Sequence, residues 1–449
     1  MNDELTLRTR RGFLRTSVLG GALSWTIPSF LAQTFAAMQA EAADKSTQII
    51  SGKDGPILIV LQMAGGNDGL NTLVPFGNDH YARSRARLRI SPREVLKLND
   101  NVGFHPGLAG LKSLYDQGWL SIIQGVGYPN PNRSHFRSTE IWQTASEAGR
   151  FERYGWLGRY FDNACTGCEP TVGVSIGRQM PQAFAARRPT GVSLDNPQNY
   201  RFISSDHPAA DETESSEEAF RKMAQPGDGM IELEKADLNS GSTIGAVPGA
   251  VQHAGSALEF LERTALDAQV SSDKIREVSR KVENQAVYPA GQLGNSLKLV
   301  ARLIGGGLST RVFYVSQGGY DTHSNQTGAH DRLLRELGDS VKAFVDDLKA
   351  QGNLDRVLLM TFSEFGRRVA ENASGGTDHG AGSLMFMAGS KIKAGLLGKY
   401  PSLAPGDLVN GDLDHHVDFR SVYAGILERW LKTPPAPILG RPFKTFSCV

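Results

Sequence analysis

The sequence predicts an α/β fold in which helices flank a mostly parallel sheet. Short, continuous apolar runs alternate along the chain with segments of helical spacing, as expected when strands are buried on both faces beneath helices. Several of these runs stop abruptly at glycines and acidic residues. In a parallel sheet such endings gather beyond the carboxyl ends of the strands, which is where ligands bind.

The individual elements follow from these two patterns. The predicted strands are Ile57–Leu61, Leu120–Gly127, a segment within Thr310–His323, Arg356–Phe362 and Ser383–Gly389. The predicted helices are His105–Gly118, the end of Tyr128–Ala145, Ala257–Glu283, Leu293–Leu303, Leu333–Gln351 and Asp418–Leu431. In the predicted helix Leu333–Gln351 the apolar residues fall on one face, and we expect that face to pack on the sheet.

Composition limits the class of protein. The chain has 449 residues, of which 40% are hydrophobic, so it can bury a large core. Its 48 basic and 47 acidic residues give a net charge of +1, without the basic excess typical of nucleic-acid binders. We expect one domain over residues 45–449, with a polar, acidic excursion near residues 204–255.

The N-terminus resembles a twin-arginine signal peptide over residues 1–44. Arg10 and Arg11 precede a moderately apolar segment, Ser17–Ala37, and small residues follow. An ordinary basic N-terminus is the alternative. The signal predicts an exported protein, periplasmic or secreted, and no other apolar run approaches the length of a membrane span. Of the three cysteines, Cys165, Cys168 and Cys448, two could form a disulfide after export, but the pairing cannot be deduced.

Candidate site residues follow three of the predicted strands: Asp68 after the first, Asp321 with His323 after the third, and Glu364 after the fourth. Side chains two apart in an extended segment point the same way, so Asp321 and His323 could share a cation. Mixed carboxylate and imidazole ligands favour Zn²⁺, Mn²⁺ or iron over Ca²⁺. The alternatives are a turn role for Asp68 and a simple ion pair for Asp321 and His323.

A glycine-rich loop adds Asp378 and His379 as further candidate metal ligands, and Arg367 as the residue that would neutralise a substrate oxyanion. His330, at the start of a helical segment, is expected on the surface. His415 and His416 are interpreted as structural, and Asp418 beside them as a helix N-cap.

Ser134 stands at the predicted start of a helix. A helix N-terminus stabilises anions through its free N–H groups, so a serine there could act as a nucleophile near a metal. It could equally be an ordinary N-cap.

Together, several motifs resemble the DUF1501 family of bacterial exported proteins, in the alkaline phosphatase and sulfatase-like superfamily. They are "LQMAGGNDGLNTLVP", "GVGYPNPNRSHFRSTEIW", "GGYDTHSNQ", "TFSEFGRRVAENASGGTDHG" and "DFRSVYAGIL". The resemblance implies an alkaline phosphatase-like fold and one or two metals, with Asp68 and Asp321 at ligand positions and Ser134 at the nucleophile position. Phe365 stands where that superfamily often has a histidine, and Asp378-His379 could replace the histidine that precedes the next strand.

The predicted function is metal-dependent hydrolysis of a phosphate or sulfate ester, with a small anionic ester as substrate and Zn or Mn as the cation. Ser134 or a water would be the nucleophile. The rival is a non-catalytic exported binding or surface protein that kept the fold. Oligomeric state cannot be deduced from the sequence.

Overall fold

The computed structural model describes residues 55–164, 168–187, 190–194 and 274–449. The predicted signal peptide, the polar excursion and most of the predicted helix Ala257–Glu283 lie outside these residues. Within that helix, residues 274–280 are described and helical.

The described strands form one large mixed sheet and a small antiparallel one. They are β1 Ile57–Met63, β2 Leu73–Val74, β3 Leu96–Lys97, β4 Gly103–Phe104, β5 Leu120–Gly127, β6 Gly173–Ile176, β7 Val192–Leu194, β8 Val312–Gln317, β9 Val357–Phe362, β10 Ser383–Ala388, β11 Gly395–Leu397 and β12 Val417–Asp418.

The α-helices with defined bounds flank the large sheet or connect its strands. They are α1 Gly69–Thr72, α2 Asp79–Ser84, α3 Ala109–Asp116, α4 His135–Thr144, α5 Trp156–Ala164, α6 Gln292–Gly305, α7 Gln326–Ala350, α8 Phe419–Gly425 and α9 Pro435–Leu439.

The large sheet has the order β11-β5-β10-β9-β1-β8-β6-β7, with β12 beside β5. β1 pairs in parallel with both β8 and β9, whereas β10 runs antiparallel to β9 and to β5. The remaining pairs are parallel. The predicted α/β class with a mostly parallel sheet is therefore confirmed.

Helices cover both faces of the sheet. Alternate residues of β1 point to opposite sides, so Ile57, Ile59 and Leu61 pack into one core with α3, α6 and α7. Leu58 and Val60 pack into a second core with α4, α5 and α8. Every residue of β1 is buried, which is why the sequence is apolar without interruption from Ile57 to Leu61 rather than alternating.

The reversed direction of β10 shapes the site. β1, β5, β8 and β9 run the same way, so their carboxyl ends share one edge of the sheet. Because β10 is antiparallel, its amino end lies at that edge as well. The loop of residues 363–382 therefore leaves the edge after β9 and returns to it before β10.

One expectation about the helices is wrong. α7 begins at Gln326, earlier than predicted, and this places His330 inside the helix rather than at the surface. His330 is 2% exposed, its Nε2 lies 3.1 Å from Asn67 Oδ1, and its ring meets that of His105 edge-on. By contrast, Asp418 caps α8 as predicted, since its carboxylate accepts from Arg420 N at 2.9 Å.

Two further features bear on the sequence predictions. Among the described residues, no helix combines the length and apolarity needed to cross a bilayer.

Cys168 is disulfide-bonded, whereas Cys448 is buried and free.

Candidate metal centre

Asp321, just beyond β8, is the centre of a polar cluster at the carboxyl edge of the sheet. Its Oδ1 accepts a hydrogen bond from Arg367 Nη2 at 2.8 Å and lies 3.1 Å from Nε2 of both His323 and His379. Its Oδ2 lies 3.3 Å from His135 Nε2. Partial burial alone would raise the pKa of Asp321, but the hydrogen bond from Arg367 and the positive charge of its guanidinium reverse this effect and lower the pKa. Asp321 is therefore a stable anion between three imidazoles.

The loop after β1 supports this position through Gly65. Gly65 has φ +119°, and a Cβ there would lie 2.4 Å from Asp321 N. Only glycine combines that backbone conformation with such a close approach. The Gly-Gly pair after β1 thus lets two strand ends pack against each other beneath the cluster.

His135, the first residue of α4, enters the cluster from the β5 side. Its Nδ1 lies 2.9 Å from Glu364 Oε1. Glu364 follows β9, is 2% exposed, and its Oε1 also accepts from Gly65 N at 2.8 Å. Glu364 was expected to be a metal ligand, but it does not contact Asp321. It lies behind His135 and holds the imidazole ring through Nδ1. The helix-start pattern of the sequence points to Ser134 and not to its neighbour His135, which the structure places in the cluster.

His323 and His379 are held from behind in the same way. His323 Nδ1 lies 3.1 Å from Asp378 Oδ1, and His379 Nδ1 lies 2.8 Å from the carbonyl oxygen of Arg133. A hydrogen bond from Asn372, together with His323, lowers the pKa of Asp378 against a smaller effect of burial, so this carboxylate is ionised. Asp378, like Glu364, therefore orients a histidine.

Phe365 completes the packing of the rings. Its ring centroid lies 4.9 Å from that of His135 and 4.4 Å from that of His379. Phe365 thus fixes the orientations of two histidines by ring contact.

These contacts assign the histidine tautomers. Each Nδ1 faces a carboxylate or a carbonyl, groups that only accept, so each Nδ1 carries the hydrogen and donates it. With the hydrogen on Nδ1, the Nε2 atom of a neutral imidazole presents a lone pair. All three Nε2 atoms point toward an ionised carboxylate, and Nε2 of His323 and His379 are 2.9 Å apart. Lone pairs and an anion facing one another repel unless positive charge lies between them.

The donor set fits a transition-metal ion. His135, Asp321 and His379 each offer one ligand atom, and these atoms lie within 4.8 Å of one another. His323 borders this group through Asp321 and His379. Imidazoles whose other nitrogen is held by a carboxylate or carbonyl are typical of zinc-binding histidines. Imidazole and carboxylate donors together favour Zn²⁺, Mn²⁺ or iron.

Asp68 does not lie in this cluster, contrary to the expectation that it binds a metal. Its carboxylate is 1% exposed, forms an ion pair with buried Arg85, and accepts hydrogen bonds from Gln326 Nε2 and Asn71 N. Burial would raise the pKa of Asp68, but Arg85 reverses this and lowers it. With its oxygens directed to these internal donors, Asp68 joins the β1 end to α7 inside the protein.

Arg367 also differs from its expected role. Its side chain has no exposed surface, and its guanidinium donates to the carbonyl oxygens of Gly66, Thr377, Gly65 and Tyr320 as well as to Asp321. It cannot reach a substrate oxyanion from this position. Its place in the site is to hold Asp321.

Ser134 is the N-cap residue of α4, and its side chain makes no capping hydrogen bond. It is exposed and stands between Arg133, whose carbonyl oxygen contacts His379, and His135. Ser134 therefore lies beside the cluster, because both of its chain neighbours contact residues of the cluster. Whether its hydroxyl acts as a nucleophile stays a prediction.

The fold and the cluster together define an α/β protein with a histidine–carboxylate site at the carboxyl edge of its sheet. DUF1501, described as a protein of unknown function, matches residues 56–433, so the chain belongs to this family. The search of curated proteins found no match.

Distantly similar solved structures include three of note. A protein in the alkaline phosphatase superfamily from Vibrio parahaemolyticus is 8% identical, with 91% of this chain and 78% of that chain covered at a TM-score of 0.36. The PsFucS1 sulfatase from Pseudoalteromonas sp. is 11% identical, with 85% and 70% covered at 0.34. The C-terminal periplasmic domain of EcEptC from Escherichia coli, in complex with Zn, is 10% identical, with 75% and 74% covered at 0.32.

Proposed function

We propose that this protein is a metal-dependent hydrolase of phosphate or sulfate esters. The observation that carries the proposal is the convergence of three histidine Nε2 atoms on the Asp321 carboxylate, with each Nδ1 committed to an acceptor behind it. Such an arrangement is stable when a cation lies among these atoms. His135, Asp321 and His379 would hold it, with His323 beside them.

A divalent cation in this position supplies Lewis-acid polarisation of an ester oxygen. The residues of the chain keep its donors in place. Glu364 and Asp378 fix the orientations of His135 and His323, and Arg367 fixes Asp321. Loss of such supporting groups typically weakens metal binding or activity by 10- to 100-fold, so these residues belong to the machinery as positioning residues.

The N-terminus of α4 favours an anionic substrate. The first turn of a helix has N–H groups without partners inside the helix, and the Ser134 side chain does not cap them. This end of α4 carries His135, so the partial positive charge of the helix lies beside the cation donors. An anionic ester oxygen bound here would stand next to the exposed Ser134 hydroxyl.

The test combines metal loading with turnover. The purified protein should bind about one equivalent of Zn²⁺ or Mn²⁺ and, once loaded, hydrolyse an aryl phosphate or an aryl sulfate. Asp321→Asn should lower both metal content and turnover, whereas Ser134→Ala should abolish turnover and leave the metal bound. A wild-type protein that binds neither metal contradicts the proposal.

A non-catalytic binding protein is the second candidate, and one observation favours it. Asp68 and Arg367, two residues expected to serve a catalytic site, are both committed to internal contacts. A binding protein would turn over neither ester class in the wild type. Its Ser134→Ala variant should keep the stability of the wild type, because the Ser134 side chain makes no capping hydrogen bond.

We further propose that the chain is exported by the twin-arginine pathway, on the strength of Arg10 and Arg11 before an apolar segment. Replacing both with lysine should leave precursor in the cytoplasm in a cell-fractionation experiment. Normal export of the double variant would show that another route is used.

A further inference from the structure

A tight turn next to the cluster presents a buried carboxylate, Asp412. Val409 and Asp412 exchange two backbone hydrogen bonds of 3.0 Å across Asn410 and Gly411. These two central residues have φ of +55° and +82°, the pattern of an Asn-Gly turn of type I′. Asp412, the last residue of this turn, is 2% exposed. The sequence thus places a fixed negative charge just inside the surface.

Two arginines share this one carboxylate. Arg133 Nε donates to Asp412 Oδ2 at 3.0 Å, and Arg133 Nη2 donates to the same oxygen. Arg368 Nε stands 3.4 Å from Oδ1 without a well-formed hydrogen bond, while its Nη2 donates to Asn410 O at 2.7 Å. One carboxylate neutralises only one guanidinium, so this group carries excess positive charge.

Both arginines border the metal centre through their backbones. The carbonyl oxygen of Arg133 accepts from His379 Nδ1, and Arg368 N donates to the carbonyl oxygen of Asp378 at 3.0 Å. Their side chains are 40% and 38% exposed, so both guanidinium groups remain open to solvent. Asp378 also faces Arg368, but its carboxylate accepts from Asn372 and His323.

From this geometry we propose that Arg133, with Arg368 beside it on Asp412, forms the subsite that binds the oxyanion of the substrate. The inference rests on the proposed function, because this subsite would make the contact with the substrate anion that buried Arg367 cannot make. Arg133 uses Nε and Nη2 on Asp412, and its Nη1 has no partner among the described residues. A guanidinium already held by two hydrogen bonds to a buried carboxylate loses less conformational entropy than a free one when it binds a phosphate or sulfate oxygen.

The experiment measures binding of inorganic phosphate and inorganic sulfate to the full-length protein by calorimetry, with and without Zn²⁺. Arg133→Met should weaken the binding of at least one of these anions by about 10- to 100-fold, because hydrogen bonds to charged groups contribute that much. Arg133→Lys keeps the charge and should recover part of it. Arg335→Met removes an exposed arginine of α7 that pairs with Asp331 and serves as the matched control.

Ester turnover then separates this inference from the proposed function. In an active enzyme Arg133→Met should raise KM more than it lowers kcat, and its zinc content should equal that of the wild type. Weakened anion binding in a protein that hydrolyses no ester would support the subsite and contradict the hydrolase. An active enzyme whose Arg133→Met variant binds both anions as the wild type does would overturn the subsite alone, and so would a wild type that binds neither anion. If Arg133→Met does not fold, Arg133→Gln, which can still donate to Asp412, replaces it.

Discussion

Replacing His135 with alanine should weaken zinc binding by more than about a hundredfold. Four-ligand structural zinc sites contribute about 10–16 kcal/mol, or roughly 3 kcal/mol for each ligand. A loss of that size corresponds to a factor of more than 100 in Kd. The His135 side chain is 34% exposed, so its removal leaves no large cavity. Glu364 loses one contact but keeps the hydrogen bond from Gly65 N, and the fold should survive.

The assay is competition for Zn²⁺ against a chromophoric chelator, with circular dichroism as the check on folding. The matched control is His415→Ala, which removes a partly exposed histidine paired with Asp414 rather than with Asp321. The control should bind zinc as the wild type does. An unchanged Kd in His135→Ala would refute the assignment of His135 as a ligand, whatever the fate of the other donors.

Three further changes test other parts of the structure. Burial lowers the pKa of His330 to about 4, below the ordinary 6.5, so the unfolded chain binds a proton more readily than the folded one between these pH values. The wild type should therefore lose up to about 3 kcal/mol of stability as the pH falls from 6.5 to 4. His330→Gln should lose less stability over the same range, as measured by denaturant titration. Asp347 is fully buried, and its carboxylate accepts hydrogen bonds from Asn284, Gln285, Ala286 and the Tyr288 hydroxyl. Asp347→Asn should therefore lower the free energy of unfolding by about 2–4 kcal/mol, as measured by thermal unfolding. A decrease below about 1 kcal/mol would contradict this. Gly65→Ala should reduce zinc affinity without removing a donor, because the added Cβ would clash with the backbone of Asp321. An unchanged zinc affinity would show that the loop after β1 can shift to accommodate the methyl group.

The fold could be predicted from the sequence because buried strands carry a strong local signal. β5 has the predicted bounds, and β1, β8, β9 and β10 lie within or close to the predicted runs. The start of α7 was predicted too late, since its first turns are polar and their burial depends on Asn67 and Asp68. Burial of a polar residue by distant partners leaves no periodic trace in the sequence.

The site was predicted in part, for a related reason. The rule that strand ends converge predicts Asp68, Asp321 with His323, and Glu364 at one edge of the sheet, and the glycine-rich loop adds His379. The structure brings Asp321, His323 and His379 together with Glu364 behind His135, but it directs Asp68 to other partners. That rule cannot distinguish a residue that faces the cluster from one that stands behind it. Asp68 and Arg367 point inward because each meets several internal partners, and those partners come from other parts of the chain.

The spacing of the cluster along the chain has a consequence for when a cation can be acquired. The hydrogen bond between Gly65 and Glu364 joins residues 299 apart, and that between His135 and Glu364 joins residues 229 apart. His379 comes from the loop that only the pairing of β10 brings back to the edge. A growing chain therefore has no complete set of donors until β10 has paired with β5 and β9. A metal that binds at this site would thus be selected from the ions of the compartment in which folding finishes.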